Sequence, residues 1–226
     1  MNRHITGAGV ASLLAFAGAA HAGTIVQSGS LGPNTTNWSQ SFQINQFDDL
    51  GGTRQLDEVI IDLVGRLEGS AGAENRDEFA KSVTLDMSAM FTISLGSENL
   101  VSSYTAISEN FSLDAYDGTI DFAGPSGMMF EDMSDTASAQ QAYDGLTRDI
   151  SPWIGDGELT LEAFANAGSF ASGGGNITFL FQSQASIDFT ISYVHSAAGV
   201  IVPTPTALGF GLAGLAGIAG GRRRRN

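Results

Sequence analysis

The most constraining stretch of this chain is residues 82–95, where apolar and polar side chains alternate almost without a fault. Val83, Leu85, Met87, Ala89, Phe91, Ile93 and Leu95 fall on one side. Thr84, Asp86, Ser88, Thr92 and Ser94 fall on the other, and only Met90 breaks the pattern. A period of two belongs to an extended strand, because successive Cβ atoms point to opposite faces of the backbone. At roughly 3.3 Å per residue the strand would exceed about 40 Å, so a bend or bulge is expected within it.

The same period recurs along the chain. Residues 176–194 place Ile177, Phe179, Phe181, Ala185, Ile187, Phe189, Ile191 and Tyr193 on one side, and residues 58–67 do so with Val59, Ile61, Leu63 and Leu67. Shorter runs at 24–29, 38–47, 99–113 and 158–163 read the same way. Turn chemistry separates them at 32–34, 48–52 and 114–127, the last around Asp117-Gly118 and Gly124-Pro125. Residues 70–77 read as a polar loop. Residues 131–145 read either as one short helix capped by Ser134 or as a loop. Faces that are apolar on one side and polar on the other belong to antiparallel sheets wetted on one side. Seven or more such strands with Gly-rich turns predict an all-β, antiparallel two-sheet sandwich of jelly-roll type. The chain has no cysteine, so burial and backbone pairing must hold the sandwich without disulfides.

The two ends read differently. Residues 1–22 carry a basic start at Arg3, an apolar run, and Ala20-His21-Ala22, an A-x-A cleavage pattern. They are expected to be a secretory signal peptide removed by signal peptidase, leaving Gly23 first. Residues 202–226 have three parts: Val202-Pro203-Thr204-Pro205, an uncharged apolar stretch to Gly221, and Arg222, Arg223, Arg224 and Arg225. The prolines fix φ and lack a donor, so neither strand nor helix continues through them. An apolar segment closed by cations stops in a membrane with the cations on the cytoplasmic face. This one is shorter than the roughly 20 residues that span hydrocarbon comfortably. It suits a transient processing signal, with an ordinary C-terminal anchor as the alternative.

The tail resembles the PEP-CTERM sorting signal of Gram-negative bacteria, with Thr204 where that family usually has glutamate. The resemblance implies that an exosortase-type transpeptidase cuts near the motif and passes the protein from the inner membrane to the cell surface or extracellular matrix. Residues 23–195 would be the β-domain, 196–201 a linker and 202–226 the sorting segment with its hydrophobic helix.

Removing the ends sharpens the charge argument. Of ten basic residues, five (Arg3 and the arginine cluster) lie in the terminal segments, and all 24 acidic residues lie between Asp48 and Asp188. Five basic against 24 acidic residues leaves −19. Such a surface repels nucleic acid and anionic lipid.

The body resembles the choice-of-anchor E domain of exported bacterial proteins. The residues that carry this are Asn37-Trp38-Ser39-Gln40 with Phe42 and Gln46-Phe47-Asp48, then Tyr116-Asp117-Gly118-Thr119-Ile120-Asp121-Phe122, and Gly173-Gly174-Gly175-Asn176-Ile177-Thr178. The resemblance implies architecture and export and assigns no activity.

Few residues suggest chemistry. His195 is the single histidine after the signal segment, no nucleophile-elbow pattern is present, and Gly173-Gly174-Gly175 lacks the lysine and helix of a phosphate loop. No catalytic residue and no cofactor are therefore expected. One acidic constellation stands out, Asp114, Asp117 and Asp121 around Gly118, with Glu131, Asp132 and Asp135 beyond. Calcium, which takes about six to eight oxygens, is its natural candidate ligand, against a plain solvated loop. The expected role is a structural or binding component of the cell surface. The alternative is a carbohydrate-binding or adhesin module meeting extracellular polysaccharide through Trp38, Trp153 or Tyr143, of which Trp38 lies on an apolar face and reads rather as core, and a carboxylate-based hydrolase is a third.

Overall fold

A computed structural model describes residues 23–198. The signal segment, the tail motif with Val202, Pro203, Thr204 and Pro205, and the arginine cluster lie outside the described residues. Eight strands follow in order: β1 Gly23–Thr35, β2 Trp38–Asn45, β3 Arg54–Asn75, β4 Lys81–Leu95, β5 Glu98–Leu113, β6 Gly127–Asp144, β7 Glu158–Gly173 and β8 Ile177–Ala197. The only helical turn among the described residues is a 3-10 turn at Ser151–Trp153.

The strands form two four-stranded sheets, β1-β8-β3-β6 and β2-β7-β4-β5, with every named pairing antiparallel. The chain crosses between sheets at every connection except the β4–β5 hairpin. That is the wiring of an eight-stranded jelly roll. The inner faces meet in one core. Val83, Leu85, Met87, Ala89, Phe91 and Ile93 of β4 are buried there with Val59, Ile61, Leu63 and Leu67 of β3 and Ile187 and Ile191 of β8. The predicted irregularity of β4 appears as a register shift against β5 between Ile93 and Ser94. One side of the sandwich is stitched between β5 and β6: Ser103 Oγ donates to Ala137 O, Thr105 Oγ1 to Asp135 Oδ2 and Tyr143 Oη to Leu100 O.

Three local expectations are corrected. Residues 131–145 are neither helix nor loop but most of edge strand β6, whose inward side chains are mainly small (Ala137, Ala139) beside Met133 and Tyr143. Residues 70–75 continue β3, because β6 and β8 pair with them on both sides and bury Ala71, Ala73, Glu74 and Asn75. Gly32-Pro33 does not end β1; the strand takes it as a bulge between Leu31 and Asn34.

Gly23 pairs with His195, Arg54 with Ala197 and Glu58 with Asp144. The chain therefore enters and leaves the described sandwich at one pole, together with the 46–53 and 145–157 connections. The opposite pole carries the 76–80, 114–126 and 174–176 connections.

Candidate functional site

The acidic constellation lies at that far pole, and a buried polar anchor fixes it. Glu74 is fully buried at the end of β3, where its carboxylate accepts from Ser126 Oγ (2.6 Å) and Phe122 N (2.8 Å). Its neighbour Asn75, also fully buried, donates through Nδ2 to Asp114 O (2.6 Å) and Phe79 O (2.8 Å) and accepts from Asp77 N (3.0 Å). Two buried side chains at the end of one strand thus clamp both the 76–80 and the 114–126 connections. A buried carboxylate is tolerated because its oxygens meet donors.

The calcium candidates serve this same loop. Asp117 Oδ1 accepts from Thr119 N and Oγ1, both at 3.0 Å, and these bonds hold the carboxyl below the usual carboxylate range. Asp121 Oδ1 accepts from Ala123 N at 3.0 Å, and Asp114 contributes its main-chain carbonyl to Asn75. Such short-range bonds are Asx turns, in which the carboxylate shapes its own backbone. Among the described residues no three His, Cys, Asp or Glu side chains gather as a metal-ligand group. Asp135 lies elsewhere, accepting from Thr105, a bond that lowers its pKa, while Glu131 and Asp132 line an open polar cleft with Glu68 and Phe181. Asp77 closes the pole: it accepts from Asn176 N (3.0 Å) and pairs with Lys81 (3.1 Å), and both interactions depress its pKa.

The aromatic candidates Trp153 and Tyr143 are corrected, and Trp38 packs against the core as its apolar face predicts. Trp153 is 1% exposed, its ring edge-on to Tyr193. Tyr143 is buried beneath Arg148, whose guanidinium lies 4.3 Å from the ring centre, and burial raises the phenol's pKa. Trp38 is half-buried and donates from Nε1 to Ala185 O (3.1 Å). Trp153 is a core side chain, and the polar ends of Trp38 and Tyr143 meet internal carbonyls, Ala185 O and Leu100 O. The exposed rings are others: Tyr104 and Phe170, 61% and 63% exposed on the β2-β7-β4-β5 sheet, Phe79 on the 76–80 connection and, less so, Tyr116 on the 114–126 connection. Met90, the one break in the β4 alternation, lies directly opposite Tyr104 and was the available sequence signal for this surface.

His195 is buried beside Phe47, with ring centres 5.6 Å apart, and its Nδ1 has no hydrogen-bond partner. Burial, with Arg54 nearby, holds its pKa below the usual histidine value. No serine or carboxylate is aligned with that nitrogen, so the orientation expected of a triad base is not present there. Among the described residues no helix is long and apolar enough to cross a membrane.

No protein-family model matches the chain, and no curated protein matches it. Among solved structures, a chain in the structure of infectious bursal disease virus, Gt strain, aligns with 88% of this chain and 49% of its own length, at 8% identity and a TM-score of 0.11. This chain thus spans about half the length of that one, and similarity at this level carries no argument about fold or function.

Proposed function

We propose that this chain is an exported, non-catalytic β-sandwich protein, delivered by a C-terminal sorting signal to the cell surface or extracellular matrix of a Gram-negative bacterium, where it acts as a structural or binding component. The observation that carries this reading is the order of the last segment: a Val-Pro-Thr-Pro motif, an uncharged apolar stretch and Arg222–225. Its resemblance to PEP-CTERM signals makes an exosortase-type transpeptidase the processing partner. Signal peptidase acts at Ala20-His21-Ala22, and the inner membrane is a transient host. Compatible with this, Gly23 and His195 are paired at one pole of the sandwich. A single attachment point there leaves the outer sheet faces and the far pole clear.

The test is to express the full chain beside an exosortase-type enzyme. Pro203→Ala with Pro205→Ala removes the extended segment before the apolar stretch, so membrane insertion is retained and processing lost. Surface protein is expected to fall at least tenfold, with uncut precursor accumulating in the inner-membrane fraction. Unchanged surface yield from this variant would contradict recognition at the motif.

A further inference from the structure

The outer surface of the β2-β7-β4-β5 sheet differs in composition from the rest of the molecule. Pairing sets outward residues of three of its four strands, β5, β4 and β7, in register over five levels, from Ser102–Thr92–Phe164 at one end, beyond which β7 presents the exposed Glu162, to Asn110–Thr84–Ser172 at the other. In this array Asp86 is the single charged residue, although the described domain carries 24 acidic residues against five basic ones. Three large side chains rise from it: Tyr104 with Met90 opposite, and Phe170 opposite Asp86. The other positions are Ser, Thr, Asn, Ala or Gly, apart from half-buried Phe164.

The rings stand on low ground. Tyr104 has Ser102 and Ala106 as its same-face neighbours along β5, and Phe170 has Gly168 and Ser172 along β7. Small neighbours leave the ring faces uncovered, which explains the high exposure of both. They are four residues apart in register and two strands apart, about 13 Å along the strands and about 10 Å across them. Between them lie Ser88, Ser108 and Asn166 with Ala106 and Gly168, and one level beyond Phe170, Thr84 Oγ1 donates to Asn110 Oδ1 at 2.6 Å.

We propose that this sheet face is a binding platform for a neutral, extended polysaccharide, with Tyr104 and Phe170 stacking on the C–H faces of separate sugar units. Sugars present one apolar face and a rim of hydroxyls, which matches rings set among Ser, Thr and Asn. The ring separation requires an oligosaccharide, since one sugar unit cannot touch both. Charge selects among occupants. A polyanion finds no cation in the array, and a second copy of this chain would bring another strongly acidic domain against the first. A neutral polymer meets neither obstacle. The proposal rests on the export reading only for where the polysaccharide is met, and binding is measured independently of tail processing.

The experiment uses protein purified from cells expressing the full chain, sedimented with microcrystalline cellulose, curdlan or insoluble mannan, and with calcium-crosslinked alginate gel as the polyanion. The expected result is binding to at least one neutral polymer, competed by its soluble hexasaccharide and not by the monosaccharide, and none to alginate. Tyr104→Ser with Phe170→Ser should weaken that binding at least tenfold while the melting temperature stays within about 2 °C, since both side chains point outward. Tyr104→Phe, which keeps the ring, and Phe79→Ser, at the far pole, should bind as wild type. Failure to bind any of the neutral polymers, binding to alginate alone, or undiminished binding by the double variant would overturn the proposal. So would a wild-type dimer that the double variant converts to monomer, because the face would then belong to a second copy.

Discussion

Phe91→Asp is expected to abolish the cooperative unfolding transition of the domain. Phe91 is fully buried on β4, paired on one side with β5 and on the other with β7. Losing the ring alone costs about 3–5 kcal/mol, and placing an unpaired carboxylate in the vacated space adds several kcal/mol more. Domains of ordinary stability have about 5–15 kcal/mol in all. Thr92→Asp, one residue along, should cost about 1 kcal/mol or less, because Thr92 points outward and loses only an exposed hydroxyl contact with Ser102 (3.2 Å). Denaturant titration followed by tryptophan fluorescence reads both, since Trp153 is buried. Equal damage from the two substitutions would mean that β4 is covered on both faces.

The second large effect is steric and links the two sheets. Gly65, in the middle of β3, faces the Phe91 ring: a Cβ built there would lie 2.1 Å from Cδ2 and 2.2 Å from Cγ. β3 cannot retreat, because β6 and β8 pair with it on both sides at this level. Gly65→Ala should therefore cost about 3 kcal/mol, the upper end of ordinary overpacking. Phe91→Ala alone should cost about 3–5 kcal/mol by leaving a cavity. In the double variant the new methyl enters the space the ring has left, so the combined loss should be smaller than the sum by about 1–3 kcal/mol. Simple additivity would show that β3 and β4 do not face each other across the core.

How much of this could be read from the chain depends on how many neighbours each strand has. β4 and β8 are central strands with one buried face, and burial writes a period of two into their sequences. β6 and the second half of β7 were not legible. β6 is an edge strand, and β7 beyond Ala165 has no β2 partner; apart from single large residues such as Met133, Tyr143 and Phe170, the 131–144 and 166–173 stretches carry small or polar side chains on both faces. Residues 70–75 are hidden for the opposite reason: residues 71–75 are buried between partners distant in sequence, and Gly and Ala there signal close packing as readily as a loop. The acidic pole was visible as composition, but its anchor was not. Nothing local marks Glu74 and Asn75 as buried, since their partners Phe122, Ser126 and Asp114 lie about 40 to 50 positions away. Tyr143 and Trp153 misled because aromatic residues with a polar end suit either a surface or a core, and distant contacts decide which. Tyr104 and Phe170 were hidden by the same ambiguity, with Met90 as the one local sign of an apolar outer face.

The export reading is tested most directly by the intact mass of wild-type protein recovered from the cell surface. Cleavage after Ala22 and near Val202-Pro203-Thr204-Pro205 should give a species that begins at Gly23 and lacks Arg222, Arg223, Arg224 and Arg225. A surface species that retains the four arginines would contradict the sorting-signal account and leave the last segment as a plain membrane anchor.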